Sequence, residues 1–269
     1  MHEIRVGCCG WSYDDWEGVL YPDDARAAQY LGYYAQQFNI VEVDSTFYRI
    51  PSRRMVEGWR ERTPDDFRFA LKMPQVITHE KLLRACDEEL DAFVNVARLL
   101  GEKLYCICLQ FGYFNQAKFA GLDAFLQVLE PFLLNWPRGI AAAVEIRNGK
   151  WIGPDWVDFL RRHYAAMVLV QQSWMPSAER LARRFDLATG PFGYVRLLGD
   201  RKGIEAMTTT WNKVVVDRSD EIRRTAGVIR QLAEKVPVVA FANNHYAGYA
   251  PATAEALRRE ILVPPIRSS

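Results

Sequence analysis

The chain has 269 residues, of which 49% are hydrophobic and 25% are charged. This balance excludes disordered and fibrous classes, and the length suits one large α/β domain or two small ones. The formal net charge is +1, from 34 basic and 33 acidic residues, which predicts no general attraction to nucleic acid or membranes but is compatible with a local basic pocket.

The amino-terminal segment and the cysteines predict a cytoplasmic protein. Residues 1–16 lack a basic stretch followed by a long apolar one, so we expect no signal peptide. No apolar run approaches the roughly 20 residues that span a bilayer, and we expect no membrane partner. The five cysteines have no metal-ligand spacing, which indicates reduced thiols.

Eight short apolar segments alternate with helical patterns along the chain. This alternation predicts a parallel sheet of the α/β class, arranged as a single (β/α)₈ TIM-like barrel domain over residues 1–269. An open doubly wound sheet is the alternative. The predicted strands are 4–9, 40–44, 67–72, 104–110, 142–146, 166–170, 194–198 and 238–242. The helices predicted after them are, in the same order, 26–38, 53–62, 81–100, 122–134, 154–163, 177–185, 220–235 and 251–262.

Alternate side chains of a strand face opposite sides, which divides the strand residues of a barrel into an inner and an outer set. The outer set lies beneath helices and should be apolar, so Val41 and Val43 are predicted outside and Glu42 and Asp44 inside. The same rule predicts five basic and three acidic inner side chains, a surplus of about +2. The inner charged set is Arg5, Arg68, Lys72, Arg147 and Arg196 with Glu42, Asp44 and Glu145.

Most of these charges fall near the carboxyl ends of their strands, where the sites of (β/α)₈ barrels lie. One interpretation is a self-neutralising ion-pair network that sets the barrel register. The interpretation we favour is a pocket with surplus positive charge for a small anionic ligand, because arginine grips phosphate or carboxylate with two hydrogen bonds.

Several motifs resemble the YecE-like family, also called domain of unknown function 72. They are GWSYDDW at 10–16, LYP at 20–22, VEVDSTFYRIP at 41–51, ITHEKLL at 77–83, EIRNGKW at 145–151, YVRLLG at 194–199 and FANNHYAGYAPATA at 241–254. The resemblance implies a (β/α)₈ barrel and specifies no reaction. By motif, it implies site residues Trp11, Tyr13, Glu42, Tyr48, Lys72, His79, Glu145, Arg147, Arg196 and Asn243.

The predicted catalytic residues are Glu42, Glu145, Lys72 and His79. The two glutamates are candidates for an acid/base pair or for ion-pair partners of the inner cations. Lys72 suits a Schiff base or, as we favour, an ion pair, and His79 suits a proton shuttle or a helix cap. The predicted ligand-binding residues are Trp11, Tyr13, Asp44, Tyr48, Gln110, Arg147, Arg196, Asn243 and Asn244.

We predict no cofactor and no metal. A metal site of Asp44, His79, Glu145 and His245 is the alternative, but neighbouring Lys and Arg side chains would repel a cation. The predicted function is that of an enzyme using acid/base chemistry on a small anionic metabolite, phosphorylated or not, of the hydrolase, lyase or isomerase class. The alternatives are a nucleic-acid-binding or repair protein, similar to barrel endonucleases, and a non-catalytic binding protein. The sequence does not define the oligomeric state.

Overall fold

Eight parallel strands close into a barrel in the computed structural model, which describes residues 1–263. Strand order follows the chain, and the first strand pairs with the eighth, which confirms the (β/α)₈ barrel and excludes the open sheet. The predicted domain bounds of 1–269 include six residues outside the described ones. The strands are β1 (Ile4–Cys9), β2 (Ile40–Val43), β3 (Arg68–Lys72), β4 (Leu104–Gln110), β5 (Ala142–Glu145), β6 (Ala166–Gln171), β7 (Gly193–Leu197) and β8 (Val238–Ala242).

Helices follow the strands and cover the outside of the barrel. They are α1 (Tyr30–Gln37), α2 (Arg53–Glu61), α3 (Asp87–Ala97), α4 (Leu122–Leu134), α5 (Pro154–Arg162), α6 (Ala178–Ala182), α7 (Arg201–Glu205), α8 (Ser219–Leu232), α9 (Asn244–Ala247) and α10 (Ala250–Leu262). Short 3₁₀ segments occupy Asp14–Trp16, Ala27–Gln29, Asp44–Phe47, Arg98–Lys103 and Gly149–Trp151. No described helix is long and apolar enough to span a membrane.

The core lies mainly between the strands and the surrounding helices. The residues predicted to face outward in β2 and β3, among them Val41, Val43 and Phe69, are buried. Burial of such apolar side chains is the main driving force for closing the barrel. Trp16 from the first loop is also fully buried and packs against Tyr13 and Tyr34, so part of the mouth loop belongs to the core.

The segment before α3 differs from the predicted continuous helix over 81–100. Val76–Glu80 forms a π-helical turn, and the backbone then takes positive φ angles that interrupt the helix. The Lys81 ammonium holds this irregular turn through the Ala85 carbonyl at 2.9 Å and the Glu89 carboxylate at 2.6 Å. These contacts depend on the folded turn, so the periodicity of apolar residues does not predict them. The positive φ angles are 48° at Leu82, 64° at Leu83 and 45° at Ala85.

Two boundaries near the mouth also differ from the predictions. The strand predicted at 40–44 ends at Val43, and Asp44 begins a 3₁₀ turn. The long loop predicted after β7 contains the short helix α7, and α9 precedes α10. Asp44 is therefore placed by a turn and not by strand alternation.

The close approach of β1 to β2 gives a test of the barrel packing. A Cβ atom at Gly7 would lie 2.1 Å from the carbonyl oxygen of Ile40, whereas a Cβ atom at Gly32 in α1 meets nothing within 4 Å. We expect Gly7→Ala to lower the free energy of unfolding by about 1–3 kcal/mol through overpacking. Gly32→Ala should raise it by up to about 1 kcal/mol. Urea denaturation measures both, and equal effects of the two substitutions would contradict this packing.

Candidate active site at the barrel mouth

Arg196 is the centre of a buried ion network inside the upper part of the barrel. Its Nε and Nη2 atoms donate to Glu42 Oε1 at 3.1 and 2.6 Å, and its Nη1 atom donates to Glu145 Oε2 at 2.6 Å. Its Nη2 atom also lies 3.3 Å from Asp44 Oδ1. The Tyr194 hydroxyl donates to the second oxygen of Glu42. Apart from Asp44, which lies in the turn after β2, these residues come from β2, β5 and β7, so the network connects strands that are not neighbours.

Arg147 extends this network toward the mouth. Its Nε atom donates to Glu145 Oε1, and its Nη1 atom donates to the side-chain oxygen of Gln172, beyond the end of β6. Glu145 is fully buried, whereas 16% of the Arg147 side chain is exposed. The buried carboxylate therefore fixes the orientation of a guanidinium whose remaining surface reaches solvent.

Lys72 lies at the end of β3, at the same edge of the barrel. Its Nζ atom is 3.8 Å from Asp44 Oδ1 and 4.2 Å from the centre of the Phe47 ring. The His79 ring contacts the same Phe47 edge to face at 5.0 Å, and its Nδ1 atom pairs with Thr78 Oγ1 at 2.8 Å. The favoured prediction of an ion pair for Lys72 agrees with this contact, and Phe47 brings Lys72 and His79 together.

Burial and charge separate the pKa values of the mouth groups. Burial opposes ionisation of Glu145, but the charges of Arg196 and Arg147 reverse this effect and lower its pKa to about 2. Burial raises the pKa of Glu42, and the charge of Arg196 offsets only part of the increase. Burial and the charge of Lys72 lower the pKa of His79 to about 4, so its imidazole is neutral near pH 7.

The surplus of about +2 that was predicted for the inner residues does not lie in the mouth network. Arg5 binds Glu3 at 2.7 Å and the Asp66 carbonyl at 2.7 Å, and Arg68 binds the Asp65 carbonyl at 2.9 Å, all at the amino-terminal end of the barrel. The strand register agrees with the predicted inner parity of both residues, but parity does not distinguish the two ends of the barrel, so these two charges lie away from the mouth. The mouth network contains three cations, Lys72, Arg147 and Arg196, and three carboxylates, Glu42, Asp44 and Glu145.

The alternative metal site does not assemble. His245 instead pairs with Asn243 Oδ1 at 2.7 Å and Glu205 Oε1 at 3.1 Å. Over residues 1–263, the one group of three His, Cys, Asp or Glu side chains with ligand atoms within 4.8 Å of one another is Cys9, Glu42 and Asp44. Because Arg196 donates to both carboxylates of that group, a cation there would meet a guanidinium at short range.

The asparagines predicted to bind ligand serve α9 and α10. The Asn243 side chain caps α9 by accepting from the His245 amide at 2.9 Å. Asn244 is buried, and its Oδ1 atom accepts from the Ala250 amide at 2.9 Å. Their direct bonds are therefore local, and a ligand-binding role for either residue remains a prediction.

The predicted aromatic residues and Gln110 take several positions. Trp11 packs edge to face on Trp59, and the Tyr13 hydroxyl donates to the Cys9 carbonyl at 3.1 Å. Tyr48 is exposed on the turn after β2. Gln110 is buried and lies opposite Glu145 in the β4–β5 register. Trp11 and Tyr13 thus support the first loop, whereas Gln110 lies beside the ion network.

Sequence reasoning missed residues that complete the mouth from outside the strands. Gln172 fixes Arg147, and the buried Asn148 joins the loop after β5 to the loop after β4. Asn148 lies within the EIRNGKW motif, which was the available signal. Gln172 follows the polar carboxyl end of β6, and none of the motifs named above includes it.

The low pKa of Glu145 predicts an acid-dependent loss of stability. Its folded pKa lies below its usual 4.5, so the stabilisation is complete above that pH and is lost as pH falls toward 2. The contribution is on the order of 3 kcal/mol. Urea denaturation between pH 2 and 6 should show a smaller decline for Glu145→Gln. The substitution Glu102→Gln, at an exposed position, should keep the wild-type profile, and an unchanged profile in Glu145→Gln would contradict the assignment.

Solved structures of known proteins share this barrel. The chain superposes on a DUF72 family protein (TM1631) from Thermotoga maritima with a TM-score of 0.76 and 26% identity, over 96% of this chain and 98% of that one. A DUF72 family protein (EF0366) from Enterococcus faecalis gives a TM-score of 0.72 at 22% identity, over 98% and 97%. A methyltransferase from Methanosarcina mazei shares the fold alone, with a TM-score of 0.55 and 12% identity over 96% and 93%.

Sequence relatives give the same assignment. The chain is 32% identical to the UPF0759 protein YecE of Escherichia coli (strain K12), over 54% of this chain and 48% of that protein. It is 30% identical to the UPF0759 protein YunF of Bacillus subtilis (strain 168), over 58% and 54%. These alignments span about half the length of each relative. The sequence model described as "Protein of unknown function DUF72" matches residues 5–264, so the chain belongs to the DUF72 family, as its motifs predicted.

Proposed function

We propose that the barrel mouth is the active site of an enzyme that acts on a small anionic metabolite. The observation that carries this proposal is the state of Arg147 and Lys72. Each is held by a carboxylate of the network, yet 16% of the Arg147 side chain and 13% of the Lys72 side chain reach solvent. Cations oriented before the ligand arrives bind an anion without reorganising, which favours both affinity and catalysis.

Arg196 and the two glutamates act as positioning residues in this proposal. Their charged groups are buried and directed at one another, so a substrate at the mouth meets them through Arg147 and Asp44. A fixed support of this kind holds the residues that contact substrate in one geometry. The predicted anion contact of Arg196 and the predicted proton transfers by Glu42 and Glu145 are replaced here by indirect roles.

Proton transfer is assigned to Asp44 and His79. Asp44 lies between Lys72 and Arg196, and 30% of its side chain is exposed, so it is accessible from the mouth. His79 is half-buried, and its low pKa keeps the imidazole neutral and able to accept a proton near pH 7. The pair therefore offers one anionic and one neutral group for acid/base chemistry on a bound anion.

Nucleic-acid binding is the second candidate, and exposed aromatic rings favour it. Tyr48 and Tyr113 are exposed on loops that follow β2 and β4, and bases of single strands stack on such rings. The net charge of +1 opposes it, since nucleic-acid-binding surfaces are usually basic. A steep fall of oligonucleotide affinity with salt would support this candidate.

Anion binding at the mouth predicts a loss of ligand-dependent stabilisation in two variants. Inorganic phosphate and glycerol 3-phosphate should raise the melting temperature of the wild-type protein in proportion to their occupancy. Lys72→Met and Arg147→Met should reduce this increase, because each removes one of the two oriented cations. Arg138→Met, an exposed substitution between α4 and β5, is the control. Equal increases in all four proteins would contradict the anion contact.

The assigned acid/base groups predict a separation of binding from turnover. We expect the wild-type protein in D₂O either to exchange a hydrogen of a phosphorylated or carboxylated metabolite for deuterium or to convert that metabolite. Proton NMR of a panel of such metabolites measures both. His79→Gln should retain anion binding and lower the rate by about 10²-fold or more, whereas Asp44→Asn also releases Lys72 and should weaken binding as well as lower the rate. If the protein bound the anions but converted none of the panel, the non-catalytic alternative would replace the enzyme.

A further inference from the structure

A cavity of about 940 Å³ opens beside Arg147, between the loops that follow β4, β5 and β6. Its size lies at the upper end of the range for ligand sites. Arg147 lines it together with residues outside the ion network, so the cavity and the mouth share one cation.

Hydrogen bonds between the three loops hold the walls of this cavity. The Asn148 side chain accepts from the Phe114 amide at 2.9 Å and donates to the Phe114 carbonyl at 2.8 Å, which joins the β4 loop to the β5 loop. Arg147 donates to Gln172 and joins the β5 loop to the β6 loop. Asn148 is itself buried, so these bonds are shielded from water. The cavity is thus formed before any ligand binds.

The cavity is basic. Arg147, Lys150, Arg180 and Arg184 line it, and no Asp or Glu does so among the described residues. Glu179 lies on the same helix as Arg180, but it pairs with Arg183, and with Arg224 at 3.6 Å, neither of which lines the cavity. Over residues 1–263, the Lys150, Arg180 and Arg184 side chains form no ion pair. The positive surplus absent from the mouth network therefore lies in this adjoining cavity.

Aromatic rings also line the cavity. Phe114 and Trp151 pack against Phe125 at 5.4 and 5.8 Å and give an apolar wall. Two further rings that line the cavity are exposed to water, Trp174 at 58% and Tyr113 at 73%. Large exposed rings at a pocket favour stacking with a flat ligand, because the buried area and the ring geometry both contribute.

We infer that this cavity binds a planar aromatic ring carrying a phosphate group, as in a mononucleotide. The rings supply the stacking surface. The three cations that lack an acidic partner in the described part of the chain suit the nearly double charge of a phosphate monoester better than the single charge of a carboxylate. The inference rests on the proposed function in one respect. Because Arg147 belongs to both sites, compounds of this kind are the class of substrate on which the mouth acts.

Isothermal titration calorimetry of the full chain with three probes tests the ligand class. Adenosine 5′-monophosphate should bind at least about tenfold more tightly than adenosine or inorganic phosphate, since each of those lacks one of the two contacts. Phenyl phosphate should fall between the monophosphate and inorganic phosphate. Equal affinities for the monophosphate and inorganic phosphate would overturn the stacking contact, and the absence of monophosphate binding would overturn the site.

Variants on the cavity wall locate the bound compound. Arg180→Ala/Arg184→Ala should weaken monophosphate binding about tenfold or more, and Trp174→Ala about fivefold or more. Arg98→Ala/Arg138→Ala removes the same charge from exposed residues elsewhere and should bind as the wild type does. All replaced side chains are exposed, so melting temperatures should stay close to that of the wild type. Unchanged affinity in the cavity variants would overturn the inference.

Two comparisons separate this inference from the proposed function. If phosphate binding needs Lys72 and Arg147 but the cavity variants bind the monophosphate normally, the cavity inference fails and the mouth proposal stands. If the cavity variants lose monophosphate binding while the protein converts no anion, the mouth proposal fails and the cavity remains. Binding of a twelve-residue oligothymidylate about 100-fold more tightly than the monophosphate, with a steep salt dependence, would replace the mononucleotide by nucleic acid.

Discussion

The guanidinium of Arg196 is buried in the barrel, and a buried charge is destabilising unless both its charge and its donors are matched. Glu42 and Glu145 supply that match from two other strands, and Tyr194 occupies the second oxygen of Glu42. Removing one of the charged members leaves the others with uncompensated charge. Strands β2, β5 and β7 are thus constrained to one relative arrangement, and the geometry of the mouth follows from it.

The network also divides the upper barrel into two layers. In the lower layer, buried carboxylates and Arg196 satisfy one another. In the upper layer, Lys72, Arg147 and Asp44 each contact the network and keep part of their surface in solvent. Charges held in this way have already lost their side-chain freedom, so a ligand does not have to order them again. Because the buried carboxylates and Arg196 of the lower layer bond to one another, we assign them positioning roles and not contacts with substrate.

The attraction of an anion to the mouth depends more on how the surrounding charges are distributed than on their sum. The charges of the six groups in the network balance. The three cavity cations that form no ion pair within residues 1–263 come from the loop after β5 and from α6 and the turn after it. Attraction of an anion is therefore strongest to one side of the barrel axis. Arg147 connects the balanced and the basic regions, because it pairs with Glu145 in one and lines the other.

The sequence by itself determined the barrel and the identity of the inner charged residues. Both follow from local rules, since strand and helix alternation predicts a parallel sheet and period-two alternation divides each strand into two faces. Glu42, Glu145 and Arg196 were found in this way before any contact was known. Asp44 joined the same network although a turn, and not the strand, places it.

Only the tertiary structure decided which charges meet. Strand parity assigns Arg5 and Arg68 to the inner face, but it does not show that they lie at the amino-terminal end of the barrel, away from the mouth. The irregular turn at 82–85 depends on bonds from Lys81 that exist only in the folded chain. The basic cavity combines side chains from three loops and a short helix, whose proximity is set by barrel closure and by the bonds of Asn148 and Arg147, and no local pattern records such long-range contacts.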